Sequence, residues 1–178
     1  YYAGYPVFAA ELDWKLKVVY GSLLKRLNAA GVQSSGSLLD YGCGKGLLVD
    51  YLRTQGFGQA AGYDPYAPGF DDESLLGRTY DCIVSQDVIE HVDDPMALLR
   101  GFDGMLEPGG IAAIGTPDAA ALDLDDPEDY VHALHQPYHR HILSMDALKQ
   151  CGTQLGWDVV AEYSTMYNNT LVPTMNPR

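Results

Sequence analysis

The run Asp40-Tyr41-Gly42-Cys43-Gly44-Lys45-Gly46 follows the apolar stretch Ser37-Leu38-Leu39, so one carboxylate and three glycines crowd the end of a short strand. Glycine tolerates positive φ and lets backbone N–H groups come close to a ligand, although a tight strand–helix turn uses the same freedom for its own geometry. Two spacings limit the chemistry. Leu47 breaks the G-x-G-x-x-G pattern of dinucleotide sites after Gly44, and Lys45 followed by Gly46 does not make the lysine end of a phosphate-binding P-loop. Asp64 stands 18 residues beyond Gly46, at the end of a second apolar run, Gln59-Ala60-Ala61-Gly62-Tyr63. A carboxylate there can accept two hydrogen bonds from the vicinal hydroxyls of a ribose, or it can cap the turn that Pro65 begins.

Histidine supplies the candidates for proton transfer, since imidazole titrates near neutrality. Four of the five histidines, His132, His135, His139 and His141, fall within ten residues. They suit acceptor binding or a general base, and they are equally read as plain surface or core histidines. His139 and His141 are favoured because they lie closest to a helix expected to begin at Ser144. Their spacing fits no defined zinc pattern, and no metal is assigned to them. Asp87, Glu90 and His91 form a second group. On a helical turn these three share one face, where a hydrogen-bond network at a helix start is their plain reading.

The elements that must position these residues follow from periodicity. Leu12, Leu16, Val19, Leu23, Leu27 and Ala30 recur at helical spacing and predict an amphipathic helix over 10–30. Short apolar runs at 37–41, 59–64, 80–88, 111–115 and 157–163 read as strands. Helices are expected over 47–55, behind the Asp94-Pro95 cap, and from Ser144 to Leu155, which Gly156 closes. Pro108-Gly109-Gly110 reads as a turn. Strands alternating with amphipathic helices predict a mostly parallel, doubly wound sheet with helices on both faces. Ligands in such sheets sit beyond the carboxyl ends of the strands, near the switch point. The polar strand ends therefore converge on one cleft. One domain is expected over 1–178, with an N-terminal helical segment at 1–32 and the α/β core at 33–178.

The 178 residues, 47% apolar and 20% charged, suffice for a real hydrophobic core. A net charge of −13 argues against a nucleic-acid partner, because phosphate backbones select Lys and Arg. No apolar run approaches the roughly 20 residues of a membrane helix. No signal peptide is visible, and the chain starts at Tyr1 rather than Met. Between Gly101 and His139 there are eight carboxylates and no Lys or Arg, a solvated acidic loop or a site for cations. Three widely spaced cysteines, Cys43, Cys82 and Cys151, favour a reduced, cytoplasmic protein.

Several of these segments, in order, resemble the class I S-adenosylmethionine-dependent methyltransferases. Leu38–Gly46 is similar to their glycine motif and Gly62-Tyr63-Asp64-Pro65 to their second-strand acid. Tyr80 to Pro95, with Glu90-His91-Val92-Asp93-Asp94-Pro95, resembles their fourth-strand region, and Leu106–Gly110 the turn before the fifth. The segment from His141 to Ser144, with Leu148 and Gly156-Trp157, is similar to the approach to the sixth. The resemblance spans about residues 37–165 and implies a Rossmann-like fold with S-adenosylmethionine as cofactor. It places Gly42 and Gly44 against the methionine part, Asp40 at its amino end, Asp64 on the ribose, and Gln86 in the pocket wall. Cys43, Pro65 and Asp87 complete the cofactor side. His91, His139 and His141 become the catalytic candidates toward a small-molecule acceptor with an O or N nucleophile. Asp87-Glu90-His91 also resembles the E-x-x-E-H of ubiquinone-pathway O-methyltransferases, which implies a divalent cation, with Asp in place of the first Glu.

Only 16 residues separate Asp64 from Asp81, where that family fits a helix and another strand. The sheet is therefore expected to be shortened after its second strand, without the segment that commonly supplies an adenine contact in that family. Pro173 weakens Thr170–Thr174 as a last strand. Tyr1, Tyr2, Tyr5 and Phe8 read either as a lid over the cofactor or as packing on the sheet. Three competing functions remain on the residues alone. They are a nicotinamide-dependent oxidoreductase, a cofactor-binding domain without turnover, and a His-cluster metal hydrolase.

Overall fold

The computed structural model describes residues 11–123, 125, 134 and 138–164. Helix α1 spans Trp14–Ala29, capped by the Asp13 side chain, which accepts the Leu16 N–H. Strand β1 is Leu38–Tyr41, helix α2 Leu47–Thr54 and strand β2 Ala60–Tyr63. A short 3-10 helix, Glu73–Gly77, leads to β3, Tyr80–Gln86. Helix α3, Pro95–Met105, starts as expected with Asp94 accepting the Ala97 N–H and Pro95 in the first turn. Strand β4 spans Leu106–Gly115, and helix α4 spans Met145–Gln154 with Ser144 as its cap.

The four strands are parallel in the order β2-β1-β3-β4. The chain moves from β1 to one side and then returns to the other, so the switch point lies between β1 and β3. Alternation of side chains across the sheet fills two cores. Leu38, Cys82 and Val84 pack with Leu23 and Leu27 of α1 and Leu48 and Leu52 of α2. Leu39 and Ile83 face the opposite way, onto Leu99, Phe102 and Met105 of α3. Burial on both faces explains why these strands read as apolar runs rather than as alternation. At the amino ends of the strands, the Asp81 carboxylate accepts both the N–H and the hydroxyl of Ser37, at 2.8 and 2.9 Å. Asp81 N–H donates back to Ser37 Oγ at 3.0 Å. This clasp ties β1 to β3.

Three expectations change. The residues 157–163 form no strand, and the described sheet ends at β4. Trp157 is held away from it: the indole N–H donates to Asp103 on α3 at 2.7 Å, and the Trp157 N–H closes α4 on the Gly152 carbonyl. Val159 and Val160, adjacent in sequence, are both exposed, so the apolar run marks no buried strand. Pro108-Gly109-Gly110 does turn, but within β4: the register jumps from Tyr80↔Leu106 to Cys82↔Ile111. Residues 87–91 are not helical. Asp87 has φ of 54°, and a turn over 89–91 follows. The three cysteines are free thiols. Among the described residues no helix is long and apolar enough to cross a membrane. Tyr1, Tyr2, Tyr5, Phe8, His132, His135 and Thr170–Thr174 lie outside the described residues.

Candidate active site

The glycine loop is fastened to the tip of β2. Gly42 and Cys43 N–H both donate to the Tyr63 carbonyl, at 2.7 and 3.2 Å. Gly44 N–H donates to Asp64 Oδ2 at 2.9 Å, and Asp64 Oδ1 accepts Tyr66 N–H at 2.8 Å. Asp64 is thus the turn cap that its sequence position allows, and it also braces the loop. An ionised carboxylate has about four acceptor sites, so two remain for ligand hydroxyls. Gly42 and Gly46 adopt positive φ, at 81° and 72°. They also lack room for a side chain, since an added Cβ would stand 2.3 Å from Val88 Cγ2 and 2.1 Å from Phe70 Cζ. Both readings of these glycines are met together.

Asp40 lies within β1, opposite Gly62 and Val84, and is buried. Burial pushes its carboxyl up to about 7, and the Asp64 charge adds to the rise. The same burial raises the Cys43 thiol and the Tyr20 phenol, with Asp40 opposing the charged form of each. A cation placed beside Asp40 would restore its charge. Gln86 closes the end of β3, with its side-chain amide donating to the Ala113 carbonyl at 3.1 Å. Pro65 opens the exposed turn after Asp64. Asp87 follows Gln86, its N–H held by the Gly115 carbonyl at 2.9 Å. Desolvation moves its carboxyl up to about 6.

A second cluster forms where residues 138–141 dock on the turn after β3. Arg140 and His141 N–H groups both donate to the Glu90 carbonyl, at 2.7 and 3.1 Å. This brings His139, which is buried, against His91, with ring centroids 4.7 Å apart in an edge-to-face arrangement. Glu90 is fully buried. Its Oε2 accepts the Thr116 hydroxyl at 3.0 Å, and Oε1 has no hydrogen-bond partner among the described residues. Burial pushes the Glu90 carboxyl up to about 8, the Asp87 charge adds to it, and the Thr116 bond opposes it. One ligand atom from each of Glu90, His91 and His139 falls within 4.8 Å of the others. Asp87 is not part of this group, so the implied Asp87-Glu90-His91 set does not converge. His141 is also separate: its Nε2 lies 3.2 Å from the Asp93 carbonyl.

Sequence reasoning missed Thr116 and Phe70. Thr116 was findable, as the first polar residue beyond the apolar, half-buried run Ile111–Gly115. Tyr138 acts through its backbone carbonyl, which accepts from His91 Nδ1 at 3.0 Å and leaves no mark in the residue type.

Residues 14–162 match the methyltransferase-domain family. The chain belongs to that family. Among curated relatives, the methyltransferase domain is 34% identical over 98 residues to a ubiquinone biosynthesis O-methyltransferase of Parvibaculum lavamentivorans, covering 44% of this chain and 39% of that protein. It is 28% identical over 190 residues to the protein of the same name from Dinoroseobacter shibae, covering 92% and 75%. The domain thus spans well under half of the first relative and three quarters of the second. Among solved structures, it resembles magnesium protoporphyrin IX methyltransferase from Synechocystis PCC 6803, with a TM-score of 0.61 and 16% identity over 83% of this chain and 75% of that one. Phosphoethanolamine N-methyltransferase 2 from Haemonchus contortus gives 0.57 and 19% identity, over 81% and 37%. These likenesses establish the Rossmann-like fold.

Proposed function

We propose that this chain, as one domain, transfers the methyl group of S-adenosylmethionine to an oxygen or nitrogen of a small-molecule acceptor. The observation that carries the proposal is the Asp64–Gly44 brace. It sets a carboxylate with spare acceptor sites beside a positive-φ glycine loop, at the tips of two adjacent parallel strands. Relatives named ubiquinone biosynthesis O-methyltransferase favour an oxygen acceptor. When bound, the sulfonium cofactor presents an already activated methyl carbon, so alignment and exclusion of water are the main demands on the protein.

On this reading Asp40 faces the cationic amino end of the cofactor, and Gly42, Cys43 and Gly44 line its methionine part. Asp64 takes the ribose hydroxyls, with Pro65 shaping the turn, while Gln86 and Asp87 close the wall at the end of β3. His91 and His139 stand on the acceptor side, where an imidazole can take the proton released by a hydroxyl or amine. His141 is a third candidate, at the rim. The net charge of −13 supports a small-molecule acceptor rather than a nucleic acid.

Calorimetry with S-adenosylhomocysteine tests the reading. Saturable binding is expected, and none by the intact chain overturns it. Binding without transfer of labelled methyl to hydroxyl- and amine-bearing acceptors would favour the cofactor-binding domain without turnover.

A further inference from the structure

The geometry points to a transition-metal site of the zinc class made by Glu90, His91 and His139, with Asp87 outside it. Three observations converge. Glu90 Oε1 is buried without a hydrogen-bond partner among the described residues, an expensive state that a cation relieves. His91 Nδ1 lies 3.0 Å from the Tyr138 carbonyl oxygen, which can only accept; Nδ1 therefore carries the proton, and in the neutral ring the lone pair that can bind a metal is on Nε2. The Thr116 hydroxyl holds the other Glu90 oxygen, Oε2, and so orients the carboxylate. Each of these two ligands is thus steadied at the atom it does not offer, which is how metal sites orient their donors. His139, packed edge-to-face against His91, supplies the third donor, and one ligand atom from each of the three residues falls within 4.8 Å of the others.

The donor set also selects the ion. Two imidazoles and one carboxylate suit zinc, cobalt, iron or manganese, whereas magnesium demands hard oxygen ligands and holds its waters. The divalent cation implied by Asp87-Glu90-His91 would be oxygen-rich, but this chain replaces one of its oxygens with the His139 nitrogen. Three protein ligands leave a position open on a tetrahedral ion. An acceptor oxygen can fill it, where the ion would promote loss of its proton in place of a metal-free His91 or His139 imidazole, and this last point alone rests on the methyl-transfer reading.

The test uses the full chain, stripped with a chelator and dialysed, then titrated with Zn2+ against a chromophoric competitor and with Co2+ followed by visible absorption. One equivalent of zinc and intense tetrahedral-type cobalt bands are expected. H91A and H139A should each weaken zinc at least tenfold and abolish the bands, while D87N and H141A stay within threefold. Magnesium at a hundredfold excess should not displace zinc. E90Q keeps the shape and removes the charge; should it misfold by circular dichroism, the histidine variants carry the test. No zinc uptake by the intact chain overturns the site. So does undiminished uptake by H139A, a D87N loss as large as that of H139A, or displacement by magnesium. Zinc uptake without S-adenosylhomocysteine binding leaves this site standing and overturns the methyl-transfer reading instead.

Discussion

Asp64 and Gly44 are joined by one hydrogen bond of 2.9 Å from the glycine N–H to the carboxylate. The acid at the end of β2 therefore holds the loop it serves. Asp64→Ala removes the brace and the proposed ribose acceptor together. A drop of at least about tenfold in S-adenosylhomocysteine affinity is expected, with a stability loss of about 1–3 kcal/mol. Calorimetry and urea unfolding read both, and unchanged affinity would remove Asp64 from the site.

Asp40 gives a pH signature. Its folded value of about 7 lies above the ordinary 3.8, so between those values the folded chain holds a proton that the unfolded chain releases. Stability contributed at this position is complete below about pH 4 and is lost as pH rises toward 7, at up to about 1.4 kcal/mol per pH unit. Asp40→Asn, neutral throughout, should be more stable than the parent at pH 7.5 and lose that advantage by pH 4. Parallel melting curves at the two pH values sink the idea.

Gly46 and Phe70 can be coupled by a double-mutant cycle. Gly46→Ala meets the Phe70 ring and takes on positive φ, for a combined loss of about 2–5 kcal/mol. Phe70→Ala relieves the clash but not the backbone strain. Denaturant melts should show about 1–3 kcal/mol of recovery in the double variant; strict additivity would mean that the ring does not fill this space.

Thr116→Val strips Glu90 of its Oε2 partner. A loss of about 1–3 kcal/mol is expected in metal-free protein. The Thr116 bond favours the ionised carboxylate, so the loss should be larger at pH 9 than at pH 6. A pH-independent loss would assign Thr116 a packing role only.

The glycine loop and Asp64 were legible because each is fixed by local rules. Positive φ favours glycine, and an acid just after a parallel strand sits on the carboxyl edge of the sheet, where ligands bind. The burial of Leu38 and Leu39, and of Cys82 and Ile83, follows equally from their place in short apolar runs. The Glu90 cluster was not. His139 is 48 residues from His91, and only the docking of Arg140 and His141 N–H groups on the Glu90 carbonyl brings the rings together. Asp87 misled for a related reason, since reading 87–91 as helix placed it on the face of Glu90 and His91, and its left-handed φ breaks that face. The run 157–163 failed as a strand because apolar content marks burial only when the chain reaches a sheet edge. Here Trp157 is diverted to Asp103.

The reciprocal bonds between Ser37 and Asp81 fix the floor of the central strand pair, at the end remote from Gly42 and Gln86. With that end pinned and the pairing continuing from Leu38↔Cys82 to Asp40↔Val84, the two strands reach their far ends at a set separation. A ligand settling over those ends would meet a platform whose width the base of the fold has already set.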